Sequence, residues 1–201
     1  VNFIKKLSYS SAKAIQTAKK EEHYHRRIYH FGFQVIYGGI TKIILLVLLS
    51  LLTFSLWPTL VLTLTFAIVR SISGGYHMGT YSRCLVISIF LFAFGGAAAQ
   101  HIHQDPLITA IVVNVFCTYC FIRYAPMEHH NRPFTEGERK KFRLLSFYLL
   151  VGIGWVVQPI LIYFGHYVVS LAISFGIALE CFTMTRTGIK LFSMMDKGGI
   201  I

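Results

Sequence analysis

Apolar residues in this chain fall into long blocks separated by short polar or basic segments. Ile36–Trp57 carries Lys42 as its only charge, and Cys84–Gln100, Leu107–Ile122, Leu144–Tyr163 and Val168–Leu179 carry none. A helix needs roughly 20 apolar residues to cross a hydrocarbon core about 30 Å thick, and several of these blocks reach that length. Together with Thr59–Val69 they predict six spans, about Ile36–Trp57, Thr59–Val69, Cys84–Gln100, Leu107–Ile122, Leu144–Tyr163 and Val168–Thr185. The expected fold class is an all-α polytopic membrane protein with about six transmembrane helices, one of them short. The short one is Thr59–Val69, because eleven residues before Arg70 cover only about 17 Å. Either that helix continues past Arg70, or the loop after it lies at membrane depth in a protein-lined cavity, where irregular backbone is tolerated.

The first thirty or so residues follow a different pattern. Phe3, Ile4, Leu7, Ser11, Ala14, Ile15 and Ala18 repeat at helical spacing, with lysines on much of the other face. That pattern predicts an amphipathic helix lying on anionic lipid or on the protein's own cytoplasmic face. No compact apolar stretch followed by a small-residue cleavage site occurs there, so no cleavable signal peptide is expected. The expected organisation is an amphipathic segment over 1–33, a transmembrane domain over 34–186 and a cytoplasmic tail over 187–201. The transmembrane domain includes a loop at 70–84 and a basic loop at 123–143.

Composition strengthens the membrane reading. Hydrophobic residues make up 55% of the 201, above the roughly 45–50% usual in soluble domains even with glycine counted. Lys and Arg total 19 against 8 acids, a formal net charge of +11. Apart from Lys42 in the first block and Arg70 and Arg83 around the 70–84 loop, those cations sit before the first block, between the fourth and fifth, and after the last, while the Trp57-Pro58, His101–Pro106 and Phe164–Tyr167 connections hold none. Lys and Arg in short loops mark the cytoplasmic side, so both termini and the 70–84 loop are expected there. The charge follows topology rather than a nucleic-acid-binding face, and no nucleic-acid partner is expected.

Candidate chemistry concentrates in Arg70–Cys84, RSISGGYHMGTYSRC. His77 and Cys84 stand seven residues apart, about 10.5 Å along a continuous helix, too far for a thiol–imidazole contact of roughly 2.6–3.2 Å. A dyad therefore needs a bend, and Gly74, Gly75 and Gly79 supply backbone that tolerates one. Thr80 or Ser82 would cap the next helix and place Cys84 in its first turn, where the helix dipole favours a thiolate. Cys84 is then the nucleophile and His77 its base. Loop N–H groups near Gly75, or Arg70, would hold an oxyanion, and Arg83 adds positive charge near the thiol. The bland alternative is a tight turn with an ordinary buried cysteine.

Other groups carry less. Cys117 and Cys120 form a C-x-x-C inside a predicted span, where i and i+3 neighbours on one face are ordinary; a thiol oxidoreductase using them is one rival reading. His101 and His103 have no third ligand nearby, and no H-E-x-x-H occurs, so neither a metal site nor a cofactor is expected. Asn114, Gln158 and Glu180 are polar residues within apolar blocks and are functional candidates by position. Glu180 would pair with Arg70, orient His77, or pair with Arg186. A second rival is a non-enzymatic transporter or scaffold.

The Arg70–Cys84 loop resembles the signature of the accessory gene regulator B (AgrB) family, an Arg before Gly-Gly-x-His with a Cys following. A second match, Ala125–Phe134 (APMEHHNRPF), followed by Arg139, Lys140 and Lys141, resembles the family's Pro-x-acidic-x-x-Asn-basic-Pro loop and its basic tail. Glu128 stands where aspartate is expected and Arg132 where lysine is common. The resemblance covers nearly the whole chain. It implies a membrane cysteine endopeptidase of the bacterial cell membrane that cleaves the C-terminal part of a small, amphipathic, AgrD-like quorum-sensing propeptide. The reaction would pass through a Cys84 acyl-thioester and permit thiolactone formation, with Glu180 or Asn131 as candidate third residues. Arg139, Lys140 and Lys141, with Arg70, are the expected contacts for the propeptide's acidic end. Six spans leave little room to enclose such a peptide, so a homodimer is expected; a monomeric mass for active protein in nanodiscs would count against it.

Overall fold

A computed structural model describes residues 2–19, 23–76, 78–102, 105–128 and 134–197, and among them the chain is helical without a strand. The elements are α1 (Asn2–Lys19), α2 (His23–Leu52), α3 (Leu56–Ser73), α4 (Tyr81–His101), α5 (Pro106–Tyr124), α6 (Glu136–Leu150), α7 (Gln158–Tyr163), α8 (Tyr167–Met184) and α9 (Arg186–Lys197). A π-helical segment, Val151–Val157, joins α6 to α7. Six stretches are long and apolar enough to cross a bilayer: Arg26–Leu52, Leu56–Ser73, Tyr81–His101, Pro106–Tyr124, Glu136–Tyr163 and Tyr167–Met184. The protein is a multi-pass, all-helical membrane protein.

Two compact units divide at Leu49/Ser50. In the first, α1 packs along α2 with Ser8 and Ala12 buried. Ser11 Oγ lies 2.8 Å from the Tyr37 hydroxyl, Tyr9 meets His30 edge-on, and Arg26 stands over the Tyr9 ring. Phe3 and Leu7 of the amphipathic pattern stay exposed.

The second unit is built around α8. Of its span 61% is buried, against 33% or less for each of the others. Small residues make that burial possible: Ser170, Ala172, Ser174 and Gly176 face its neighbours, and a Cβ on Gly176 would stand 2.8 Å from the Leu62 carbonyl oxygen of α3. Val69, Cys117, Cys120, Phe121, Leu150, Ile177 and Cys181 form the core.

Without water in the bilayer core, buried polar groups must satisfy each other. Asn114 Nδ2 donates to the Gly154 carbonyl at 2.7 Å and to Gln158 Oε1 at 2.8 Å. Gln158 Nε2 then donates to the Ser170 carbonyl at 2.9 Å and Ser174 Oγ at 2.7 Å. Thus two of the intramembrane polar residues staple α5, the π-helical segment and α8 together.

Boundaries correct the sequence reading at two places. The first span ends at Leu52, not Trp57. The turn is Thr53–Ser55, where Ser55 N–H donates to the Ser50 carbonyl at 2.9 Å and Phe54 has φ 51°. Trp57 and Pro58 open α3 instead, because proline in a first helical turn removes no intrahelical hydrogen bond. The second span does not stop before Arg70; α3 runs on to Ser73, giving 18 residues, about 27 Å. Of the two readings of the short span, the continuing helix is the one observed.

Candidate active site

α3 ends at Gly74, whose φ of 73° and N–H bond to the Arg70 carbonyl at 3.0 Å close the helix. A side chain there would also collide with the Met127 carbonyl oxygen. Met127 N–H donates to the Ser73 carbonyl at 2.8 Å, just after a cis Ala125–Pro126 bond. The two sequence signatures therefore meet: the Ala-Pro-Met stretch after α5 braces the end of α3.

Arg70, one turn inside α3, is held on several sides. Its Nη1 lies 3.1 Å from Glu180 Oε2 and 3.1 Å from Thr183 Oγ1, both on α8. Its Nη2 donates to the Tyr76 carbonyl, and its guanidinium stands over the Phe66 ring. Glu180, fully buried, also accepts from Ser73 Oγ at 2.8 Å. A buried carboxylate is tolerable only with such partners. Arg70 thereby fixes both the end of α3 and the path of the loop.

Gly75 lies against this cluster with φ 154°. A methyl group there would fall 2.6 Å from Arg70 Nη1, 2.6 Å from Thr183 Oγ1 and 3.2 Å from Glu180 Oε1. Gly75→Ala is therefore expected to cost about 2–5 kcal/mol, backbone strain and overpacking together. Unfolding in detergent micelles measures it, and a loss under ~1 kcal/mol would show that the cluster yields easily.

Cys84 occupies the first turn of α4. It is half-buried, its N–H donates to the Thr80 carbonyl at 3.2 Å, and its Sγ is 3.9 Å from Ser88 Oγ. Thr80 is the N-cap residue, but its side chain makes no capping bond. His77 and Asn131 lie outside the described residues, as do His103 and Arg132. Cys117, Cys120 and Cys181 are free thiols enclosed in the core. Among the described residues, no three His, Cys, Asp or Glu side chains gather as a metal would require.

Arg83 is engaged by a residue that the sequence reading missed. Its Nη1 lies 3.1 Å from Asp196 Oδ1 on α9, and Gly79 N–H donates to Asp196 Oδ2 at 3.0 Å. The segment expected as a tail is thus a helix seated beside the loop. Tyr76 stacks on Phe192 of that helix. Burial, and then the charge and hydrogen bond of Asp196, raise the Tyr76 phenol above the usual tyrosine range.

The basic loop forms a separate feature. An open cavity of about 670 Å³ is lined by Arg123, Arg139, Lys140 and Arg143 with Tyr119, Tyr124 and Pro126. Arg139 pairs with Glu128 at 3.3 Å, and Arg143 donates to the Ile122 carbonyl at 2.8 Å. Lys141, the third residue of the expected basic set, is exposed and does not line the cavity. Pro126 links this wall to the end of α3 through the Met127–Ser73 bond.

A multi-pass helical protein, with one partly exposed cysteine beside a glycine loop braced by an ion pair, defines the class. The sequence model of the Accessory gene regulator B family matches residues 4–184, and the chain belongs to that family. Its role therefore lies in the accessory gene regulator system. Two similar proteins come from Clostridium perfringens, the "Putative AgrB-like protein 2" of strain 13 and the "Putative AgrB-like protein" of strain SM101. Each is 23% identical over 210 aligned positions, covering 96% of this chain and 96% of its own. No solved structure matches the chain.

Proposed function

We propose that this protein is a membrane cysteine endopeptidase that processes a small AgrD-like propeptide on the cytoplasmic side of a bacterial membrane. One observation carries the reading: of four cysteines, Cys84 alone is partly exposed, and it stands in a helical first turn beside the clamped glycine loop. Cys117 and Cys120, which an oxidoreductase would need, are enclosed in the core.

In the proposed reaction His77 takes the Cys84 thiol proton, and the thiolate attacks a carbonyl near the propeptide's C-terminal end. The loop donor for the oxyanion is the Gly75 N–H, since those of Gly74 and Tyr76 are engaged by the Arg70 and Thr183 carbonyls. The C–N bond breaks, the proton held by His77 goes to the leaving amine, and an acyl-thioester remains on Cys84. A cysteine thiolate within the peptide then attacks that thioester, closing a thiolactone and returning the Cys84 thiolate. One thioester replaces another, so the step is nearly balanced in energy. Water would intercept it, which favours a site recessed from solvent.

Arg139 and Lys140, on the cavity wall, and Lys141 beside it would draw the acidic end of the propeptide toward this end of the bundle. The reading has both termini and the 70–84 loop on the cytoplasmic face, and the positive-inside distribution of Lys and Arg supports it.

The test is mass spectrometry of protein reconstituted in vesicles with a cognate propeptide lacking its ring cysteine. Trapped acyl-enzyme on Cys84, released by hydroxylamine, is the expected result. Cleavage that proceeds without any adduct on Cys84 would overturn the mechanism.

A further inference from the structure

The C-terminal helix does more than end the chain. Gly188, Phe192 and Asp196 recur every four residues and so share one stripe of α9. Each makes a specific contact. Gly188 leaves no room for a side chain, since a Cβ would collide with the Phe182 carbonyl. Thr185 closes the α8–α9 corner: its Oγ1 donates to the Phe182 carbonyl at 2.9 Å and accepts from Gly188 N–H at 3.1 Å. Phe192 is 7% exposed, stacked on Tyr76 at 6.2 Å and edge-on to Phe182 at 5.9 Å. That geometry delivers Asp196 to the loop.

Its two carboxylate oxygens then take different partners. Oδ2 accepts from Gly79 N–H at 3.0 Å, and Oδ1 pairs with Arg83 at 3.1 Å. Gly79 and Arg83 are four residues apart and flank the start of α4. Holding both fixes that first turn, and Cys84 directly follows Arg83. Both charged side chains are mostly screened from solvent, 26% and 20% exposed, so the pair is firmer than a surface ion pair. The loop before it is irregular backbone, held on its other side by Arg70.

We propose that Asp196 is a positioning residue of the reaction, latching the turn that presents Cys84 from a helix more than 110 residues away in sequence. Bound there, α9 is part of the working site rather than a tail. The inference rests on the reading of Cys84 as nucleophile only for its effect on turnover; the latch itself is a statement about loop order.

Two readouts on the full-length protein in vesicles test it. Hydrogen exchange in the segment 78–84 is expected to speed up by about tenfold or more in Asp196→Ala, with exchange in the spans unchanged. Propeptide processing by the same variant is expected to fall about 10–100-fold at saturating peptide with KM within about threefold, since small misplacements of a reacting group are costly. Asp196→Glu, which keeps the charge and can reach both partners, is expected to recover most of both. Exchange in 78–84 within twofold of wild type in Asp196→Ala overturns the latch. So does unchanged turnover beside an active wild type. An inactive wild type would instead overturn the peptidase reading, and the exchange result would still decide the latch.

Discussion

Cys84→Ser, reconstituted in vesicles, is expected to cleave propeptide on the order of 10³-fold more slowly than wild type or worse. A serine hydroxyl preserves size and polarity at this half-buried position, so folding is little disturbed and the loss reports on chemistry. The reason lies in the nucleophile: a thiolate is accessible near neutral pH, whereas a serine alkoxide needs stronger activation. A thioester is also what the second step requires, and an oxygen ester would be a poorer acyl donor to a peptide thiol. His77→Ala is expected to fall by about 10²–10⁴-fold, the range for removing a general acid–base. The pair need not add, since groups that act as a unit lose nearly everything with the first deletion. Cys117→Ala with Cys120→Ala is the control. Both are enclosed core residues that behave as small hydrophobes, and processing should stay within a few-fold. Full cleavage by Cys84→Ser would sink the enzyme reading and leave the loop as a structural turn, as the transporter or scaffold alternative requires.

The sequence displays much of this architecture because a bilayer imposes it. Long apolar blocks have few alternatives, and among the described residues each of the six expected spans is a helix long enough to cross. Their ends were less legible for physical reasons. Pro58 looks like a break, yet in a first helical turn it costs nothing, so the true turn sits three residues earlier at Thr53–Ser55. Arg70 looks like the end of a span, because an unpaired guanidinium does not enter hydrocarbon. Its partner Glu180, 110 residues away, is what lets α3 continue. The candidate site divides along the same line. Cys84, Gly75 and Arg70 are marked by local sequence, the glycines and a charge beside an apolar run, whereas the choice of Glu180's partner among the three open readings is not. Asp196 carries no local mark. It is one acid on a short amphipathic helix, and its meaning comes from a corner that Thr185 and Gly188 build and that no periodicity announces.

The largest expected effect on folding is at Glu180. Its side chain is 0% exposed and accepts from Arg70, Ser73 and Thr183. Glu180→Ala leaves the Arg70 guanidinium, itself only 16% exposed, facing a cavity with no counter-charge. Breaking a buried pair in this way costs about 3–5 kcal/mol, a large part of the stability of a domain of this size. Chemical unfolding in micelles should show it, and a loss below ~1 kcal/mol would mean that water already reaches the pair. The double variant Arg70→Met/Glu180→Leu separates two roles. Two apolar side chains of similar volume remove both buried charges at once, so stability should return to within ~1–2 kcal/mol of wild type. Processing should not return with it, because Arg70 also holds the Tyr76 carbonyl and the loop beyond. A double variant that is both stable and active would show that the ion pair serves packing alone. One that is stable and inactive assigns the pair to the loop: the cost of burying two charges inside the membrane is then retained because it fixes the backbone path from α3 to Cys84.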